Sequence, residues 1–209
     1  MNNFSKLLSL VTLLSLLTVS CSKSIRIGNG LNHYGPLTTV NGAITIGNEC
    51  TVTGNSRTVN GSITVGDNSD VGELQTTNGS IQVGSNTSVN GGVITINGVI
   101  VCNLGSQVDG TLSTINGSIT LIGTSVKGNL KTINGHIKLA RGSKVQGDIV
   151  MRSRSDSSNI KQPLVIQLSG SSVVEGDIIN NDDRLDVQVI LTDDSKVLGE
   201  IKNAKVQRH

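Results

Sequence analysis

Histidines, cysteines and clustered carboxylates are the side chains that most often carry chemistry, and this chain has few of them. They are His33, His136 and His209, Cys21, Cys50 and Cys102, and a late group of acids, Asp182, Asp183, Asp186, Asp193 and Asp194. Acid–base work by a histidine needs a partner group and a cleft. His136 stands on the outward phase of an alternating stretch beside Lys138, so it reads as a surface residue. The acids could offer oxygens to Ca²⁺. They match neither an EF-hand nor a nonapeptide Ca²⁺ pattern, so they read as a solvated face. No metal and no cofactor is expected, and no catalytic residue stands out.

What the chain has in quantity is Asn-Gly. Asn41, Asn60, Asn78, Asn97, Asn116 and Asn134 recur every 18 or 19 residues, each followed by Gly. A fixed period near twenty marks a solenoid in which one repeat is one turn. Three residues after each Asn comes Ile44, Ile63, Ile81, Ile100, Ile119 or Ile137, and two further on Ile46, Val65, Val83, Cys102, Leu121 or Leu139. That i, i+2 spacing, with polar residues such as Thr64 and Thr120 between, is the alternation of a half-buried strand. A second apolar row is Val52, Val71, Val89, Val108, Val126 and Val145; a third is Leu74, Val93, Leu112, Leu130 and Ile149.

The chain is therefore expected to be all-β. It should form a single-stranded parallel β-helix of about nine turns of 18–19 residues, with three short strands per turn. At the inter-strand spacing of ~4.7–4.9 Å that is a rod of roughly 40 Å. The template also fits Ile25 to Leu37, Ile166 to Ile178 and Val189 to Ile201. Insertions near 151–163 and 180–184 share one corner of the turn.

The rows suggest roles. The Asn row reads as structural: Asn tolerates unusual backbone angles, stacked amides can bond from turn to turn, and the following Gly supplies conformational freedom at a tight corner. An outward rank of Thr39, Thr58, Thr76, Thr95, Thr114 and Thr132 would resemble the surface of ice-binding solenoids; pointing inward, the same residues would be core. Cys50 shares a row with Ser69, Thr87, Ser106, Thr124 and Ser143, and Cys102 replaces an aliphatic. The two lie on the order of 14 Å apart by strand spacing, too far for a disulfide. Both read as small buried core residues.

Composition agrees with a narrow rod. Aromatics make up 1% of the 209 residues, where a globular core would use them as large fillers. The formal net charge of +2 at pH 7 gives no case for nucleic-acid steering.

Residues 1–20 carry a Lys and then an apolar run from Leu7 to Val19, the pattern of a secretory signal. The run ends in Leu17-Thr18-Val19-Ser20-Cys21, which resembles the lipobox of bacterial lipoproteins. The resemblance implies cleavage before Cys21, acylation of its thiol and amine, and attachment to a membrane of the cell envelope through those lipids. Residues 21–24 would be the lipidated N-terminus and 25–209 the β-helix. Ser22 stands where Asp would signal inner-membrane retention, so the outer membrane is the expected address.

The turns of V-x-G-x-[IL]-x-T-[IV]-N-G-x-I-x-[VL] resemble the bactofilins, which are polymer-forming cytoskeletal proteins, and adhesin-like β-solenoid families of bacteria. That resemblance spans about Ile25 to Ile201 and implies a right-handed helix with the capacity for end-to-end assembly. Function is then expected to be non-catalytic: a membrane-anchored, rigid structural, adhesive or self-assembling module whose partners are the membrane, further copies of itself, or envelope polysaccharide or protein. Two alternatives stay open. A polysaccharide-binding or polysaccharide-cleaving β-helix would need paired carboxylates or a metal, with aromatic sugar platforms, against a single aromatic, Tyr34, after the leader. A hexapeptide-type acyltransferase would need a catalytic His at a subunit groove.

Overall fold

A computed structural model describes residues 23–152 and 163–209. Residues 1–20, with the expected leader, and the expected lipidation site Cys21 lie outside the described residues. Among the described residues twenty-eight strands, most of two or three residues, follow one another. They stack into three parallel sheets of ten, nine and nine strands. Each turn gives one strand to each sheet in the same order, which makes a β-solenoid of about nine turns; among the described residues there is no helix.

The register follows the sequence rows. In the first sheet Ile44 pairs with Ile63, Ile63 with Ile81, Ile81 with Ile100, Ile100 with Ile119 and Ile119 with Ile137. The column continues through Ile166 to Val189. The second sheet aligns Val52, Val71, Val89, Val108, Val126, Val145, Val174 and Val197. These columns fill the bore, and Ile119 is fully buried while the adjacent Thr120 is only half-buried. Each fully buried aliphatic contributes about 1.5–3 kcal/mol, and no turn can bury its residues without the turns above and below it.

The third sheet has one break in its apolar column. Leu37 pairs with Ser56, and Ser56 with Leu74. The Ser56 hydroxyl is buried with no hydrogen-bond partner. Tyr34, the one aromatic of the described residues, stands 78% exposed.

Three corners join the sheets. Between the third and first sheets runs Asn-Gly in the regular turns. In the last turns this corner carries the longer connections, after Ile149–Met151 and after Ile178–Asn180. Buried Asn180 ties the second of them down, donating to the carbonyls of Leu185 and Asn203. At the far end the strand Lys205–Arg208 is exposed throughout, and its charges blunt an edge that could otherwise pair with another chain.

Candidate functional site

The six repeated asparagines come together in one exposed line. Asn60 Nδ2 donates to Asn41 Oδ1 at 2.7 Å, Asn78 to Asn60 at 2.8 Å, Asn97 to Asn78 at 2.8 Å, Asn116 to Asn97 at 2.7 Å and Asn134 to Asn116 at 2.8 Å. Each of the five donating amides points its NH₂ toward the first turn, so the bonds run head to tail along the rod axis.

The corner's geometry corrects the expected role of its backbone. Positive φ occurs at Glu49, Asn68, Asn86, Arg141, Ser171, Asp193, Asp194 and Asn203, and at six glycines, none of which follows a ladder asparagine. The ladder asparagines and their glycines are therefore not selected for left-handed conformation. The glycines are selected for close approach. A Cβ on Gly98, Gly117 or Gly135 would lie 2.0, 1.9 or 1.8 Å from the carbonyl oxygen of the corresponding glycine one turn below. Most of the left-handed residues sit instead at the corner between the first and second sheets, where Glu49, Asn68, Asn86, Gly105 and Gly123 occupy successive turns.

The threonine row points inward. All six are buried, and Thr58, Thr76 and Thr95 each donate at 2.8 Å to the carbonyl of Gly42, Gly61 or Gly79. These hydroxyls brace the Asn-Gly corner from inside, so the threonines form no outward rank. The small-residue row also braces a corner. Cys50 N–H donates to Ser69 Oγ at 3.1 Å, Thr124 N–H to Ser143 Oγ at 3.2 Å and Ser172 N–H to Ser195 Oγ at 3.0 Å. Cys50 donates its thiol to Gly28 O at 3.0 Å. Both Cys50 and Cys102 are free and buried. Cys102 sits in the first-sheet column between Val83 and Leu121. Burial pushes its thiol up to about 12, so it stays protonated and unreactive at neutral pH.

The late acids are split between corners rather than gathered. Asp182 accepts from its neighbour Arg184 at 2.7 and 2.8 Å, and Asp186 pairs with Lys205 at 2.9 Å. Asp193 lies at the left-handed corner and accepts from Gly170 N–H at 3.1 Å. Among the described residues no group of three or more His, Cys, Asp or Glu could hold a metal. His136 is exposed, and its Nδ1 accepts the Val165 N–H at 3.0 Å. It thereby ties the strand after the first long connection to the last Asn-Gly corner.

One line of polar residues was not singled out in the sequence. At the corner between the second and third sheets, Asn129 Oδ1 accepts Asp148 N–H at 2.8 Å, Asp148 accepts Asp177 N–H at 2.9 Å, and Asp177 accepts Glu200 N–H at 2.9 Å. The spacing was visible as an Asn or Asp after the glycine of V-x-G. Glu200 and Lys202 hold the Asp177 carboxyl below the usual carboxylate range: the Glu200 N–H first, then the Lys202 ammonium.

The chain matches no protein-family model, and no curated protein or solved structure is significantly similar to it.

Proposed function

We propose that this chain is a non-catalytic lipoprotein of the bacterial envelope, held at the outer membrane by acyl chains on Cys21, whose β-solenoid serves as a rigid structural or adhesive module. The observation that carries the reading is the start of the coil. Its first strand, Ile25–Ile27, begins four residues after Cys21, so a lipid there would set the first turn against the headgroups. Several acyl chains at about 0.8 kcal/mol per buried CH₂ give a stable anchor. The lipobox-like leader supports the address, and the likeness of the turns to adhesin-like and bactofilin solenoids supports the role of a rod.

Self-assembly is part of the same reading, and the charges of the two ends bear on its mode. End-to-end stacking would set Lys205 and Arg208 of one copy against Lys23 and Arg26 of the next. Like charges oppose that contact at low salt and are screened at high salt. The unlipidated fragment from Ser22 to His209 should therefore scatter light as single rods at low ionic strength.

The direct test is metabolic labelling with a palmitate analogue in a bacterial host, with membrane fractionation. Label and outer-membrane recovery of the full chain, both lost in Cys21→Ala, are expected. Unlabelled protein that fractionates like Cys21→Ala would overturn the anchor. Turnover in a screen against envelope glycans would overturn the non-catalytic role.

A further inference from the structure

Asn-Gly is chemically the least durable pair in a protein chain. The glycine nitrogen attacks the asparagine Cγ, the N–Cγ bond forms and the Cγ–Nδ2 bond breaks. The nitrogen's proton leaves with Nδ2 as ammonia. Water then opens the succinimide at either carbonyl, giving isoaspartate or aspartate. This chain carries six such pairs in one row, with every asparagine exposed. Among the described residues, the N–H groups of Gly61, Gly79, Gly98, Gly117 and Gly135 make no hydrogen bond that would withhold them from attack. The glycine backbone is packed alike from turn to turn, and what differs along the row is the restraint on the asparagine side chain.

Restraint is unequal along the row. Asn60, Asn78, Asn97 and Asn116 each donate one ladder bond and accept another. Asn41 only accepts and Asn134 only donates. Swinging Cγ onto the glycine nitrogen breaks two bonds in the interior and one at either end. The consequences at the ends also differ. An aspartate at 41 still offers an oxygen to Asn60 Nδ2. At 134 the lost NH₂ leaves a carboxylate facing Asn116 Oδ1, acceptor against acceptor, and Asn116 becomes the new end of the row.

We infer that the amide ladder shields its asparagines from succinimide formation, that Asn134 is a site of spontaneous deamidation, and that conversion there unzips the ladder toward the first turn. Two Asn-Gly pairs outside the ladder serve as internal controls. Gly30 N–H is engaged by Asn48 O at 2.8 Å, so Asn29 should convert slowly. Asn90 makes one side-chain bond, to Asp70, and should behave like the ladder ends.

The test is peptide mapping by mass spectrometry during incubation of the folded protein in mildly alkaline buffer, reading the amide-to-acid mass change at each site. Asn134 and Asn41 should convert roughly 2- to 10-fold faster than the four interior asparagines, the rate equivalent of one net hydrogen bond. Equal rates at ends and interior would overturn the inference. Asn97→Ala removes one ladder bond each from Asn78 and Asn116, so both should accelerate by a similar factor; unchanged rates there would overturn it too. Asn134→Asp should accelerate Asn116, whereas Asn41→Asp should leave Asn60 unchanged. Should Asn97→Ala fail to fold, the order of sites in the unaltered chain still decides.

Discussion

Two corners of the same turn solve opposite problems. The corner from the third to the first sheet repeats Asn-Gly with little variation from turn to turn, because backbone packs on backbone and a Cβ has nowhere to go. The corner from the first to the second sheet varies freely in residue type, with Glu49, Asn68, Asn86, Gly105 and Gly123 in one row. At that row only the backbone angle is held; the steric limit of this corner falls two residues earlier, at Gly47, Gly66 and Gly84. A steric limit excludes every side chain; a dihedral limit penalises a side chain by only about 1–2 kcal/mol. Sequence repetition is therefore strict at the Asn-Gly row and loose at the left-handed row.

The strand Ile119–Ile122 runs from one corner to the other, and a charge in it should give the largest effect. Ile119→Asp buries an unpaired carboxylate and should cost about 4 kcal/mol or more, or prevent folding, whereas Thr120→Asp beside it should cost less than about 1 kcal/mol. Equal melting temperatures for the pair would reject the register. Next comes the corner comparison itself. Gly117→Ala places a Cβ 1.9 Å from Gly98 O and should cost about 3 kcal/mol through backbone displacement. Gly123→Ala meets the movable Leu104 Cδ1 at φ +56° and should cost about 1–2 kcal/mol. Denaturant midpoints that ranked these two the other way would show that conformation, not space, governs the Asn-Gly corner.

The asymmetry between corners also explains what the sequence disclosed. The strands were legible because burial imposes a period: Ile44 through Ile137 and Val52 through Val145 could be placed in columns by spacing alone. The amide ladder was legible as a row, since identical residues stacked at one strand spacing must meet. The reason for its glycines was not, because a close approach and a positive φ demand the same residue, and only the distances distinguish them. The left-handed row was hidden for the opposite reason: a constraint on φ alone leaves Glu, Asn and Gly at equivalent positions. The inward turn of the threonines was settled by carbonyls one turn away, which no local pattern reports.

Smaller effects should sharpen the contrast with the opposite sign. Ser56 interrupts an apolar column just before a ladder corner and keeps a buried hydroxyl without a partner. Ser56→Val restores the residue type that Val93 supplies in the same column, and should stabilise by about 1–2 kcal/mol. At the loose corner, Glu49 has φ +57°. Glu49→Gly should relieve that strain and, after the greater unfolded-state freedom of glycine, stabilise by about 0.5–1 kcal/mol. Thermal unfolding measures both. A destabilised Glu49→Gly would mean that this corner is held by its side chain after all.

The smallest effect concerns the third corner, where the line of Asn and Asp acceptors ends. The Glu200 N–H and the Lys202 ammonium, 3.0 Å away, both favour the ionised form of Asp177. Its folded pKa is thus depressed, so the unfolded chain binds its proton more readily. The stabilisation is present above the ordinary carboxylate range and is lost as pH falls through the lower folded value. The last turn should then loosen in acid before the middle of the rod, which hydrogen exchange at Glu200 and Lys202 would report. Asp177→Asn keeps an oxygen for the Glu200 N–H but removes the charge, so its exchange there should no longer respond to acid in that range. Persistence of the same acid response in Asp177→Asn would assign it to another group. The corner would then be held, like the Asn-Gly corner, by neutral hydrogen bonding and fit alone.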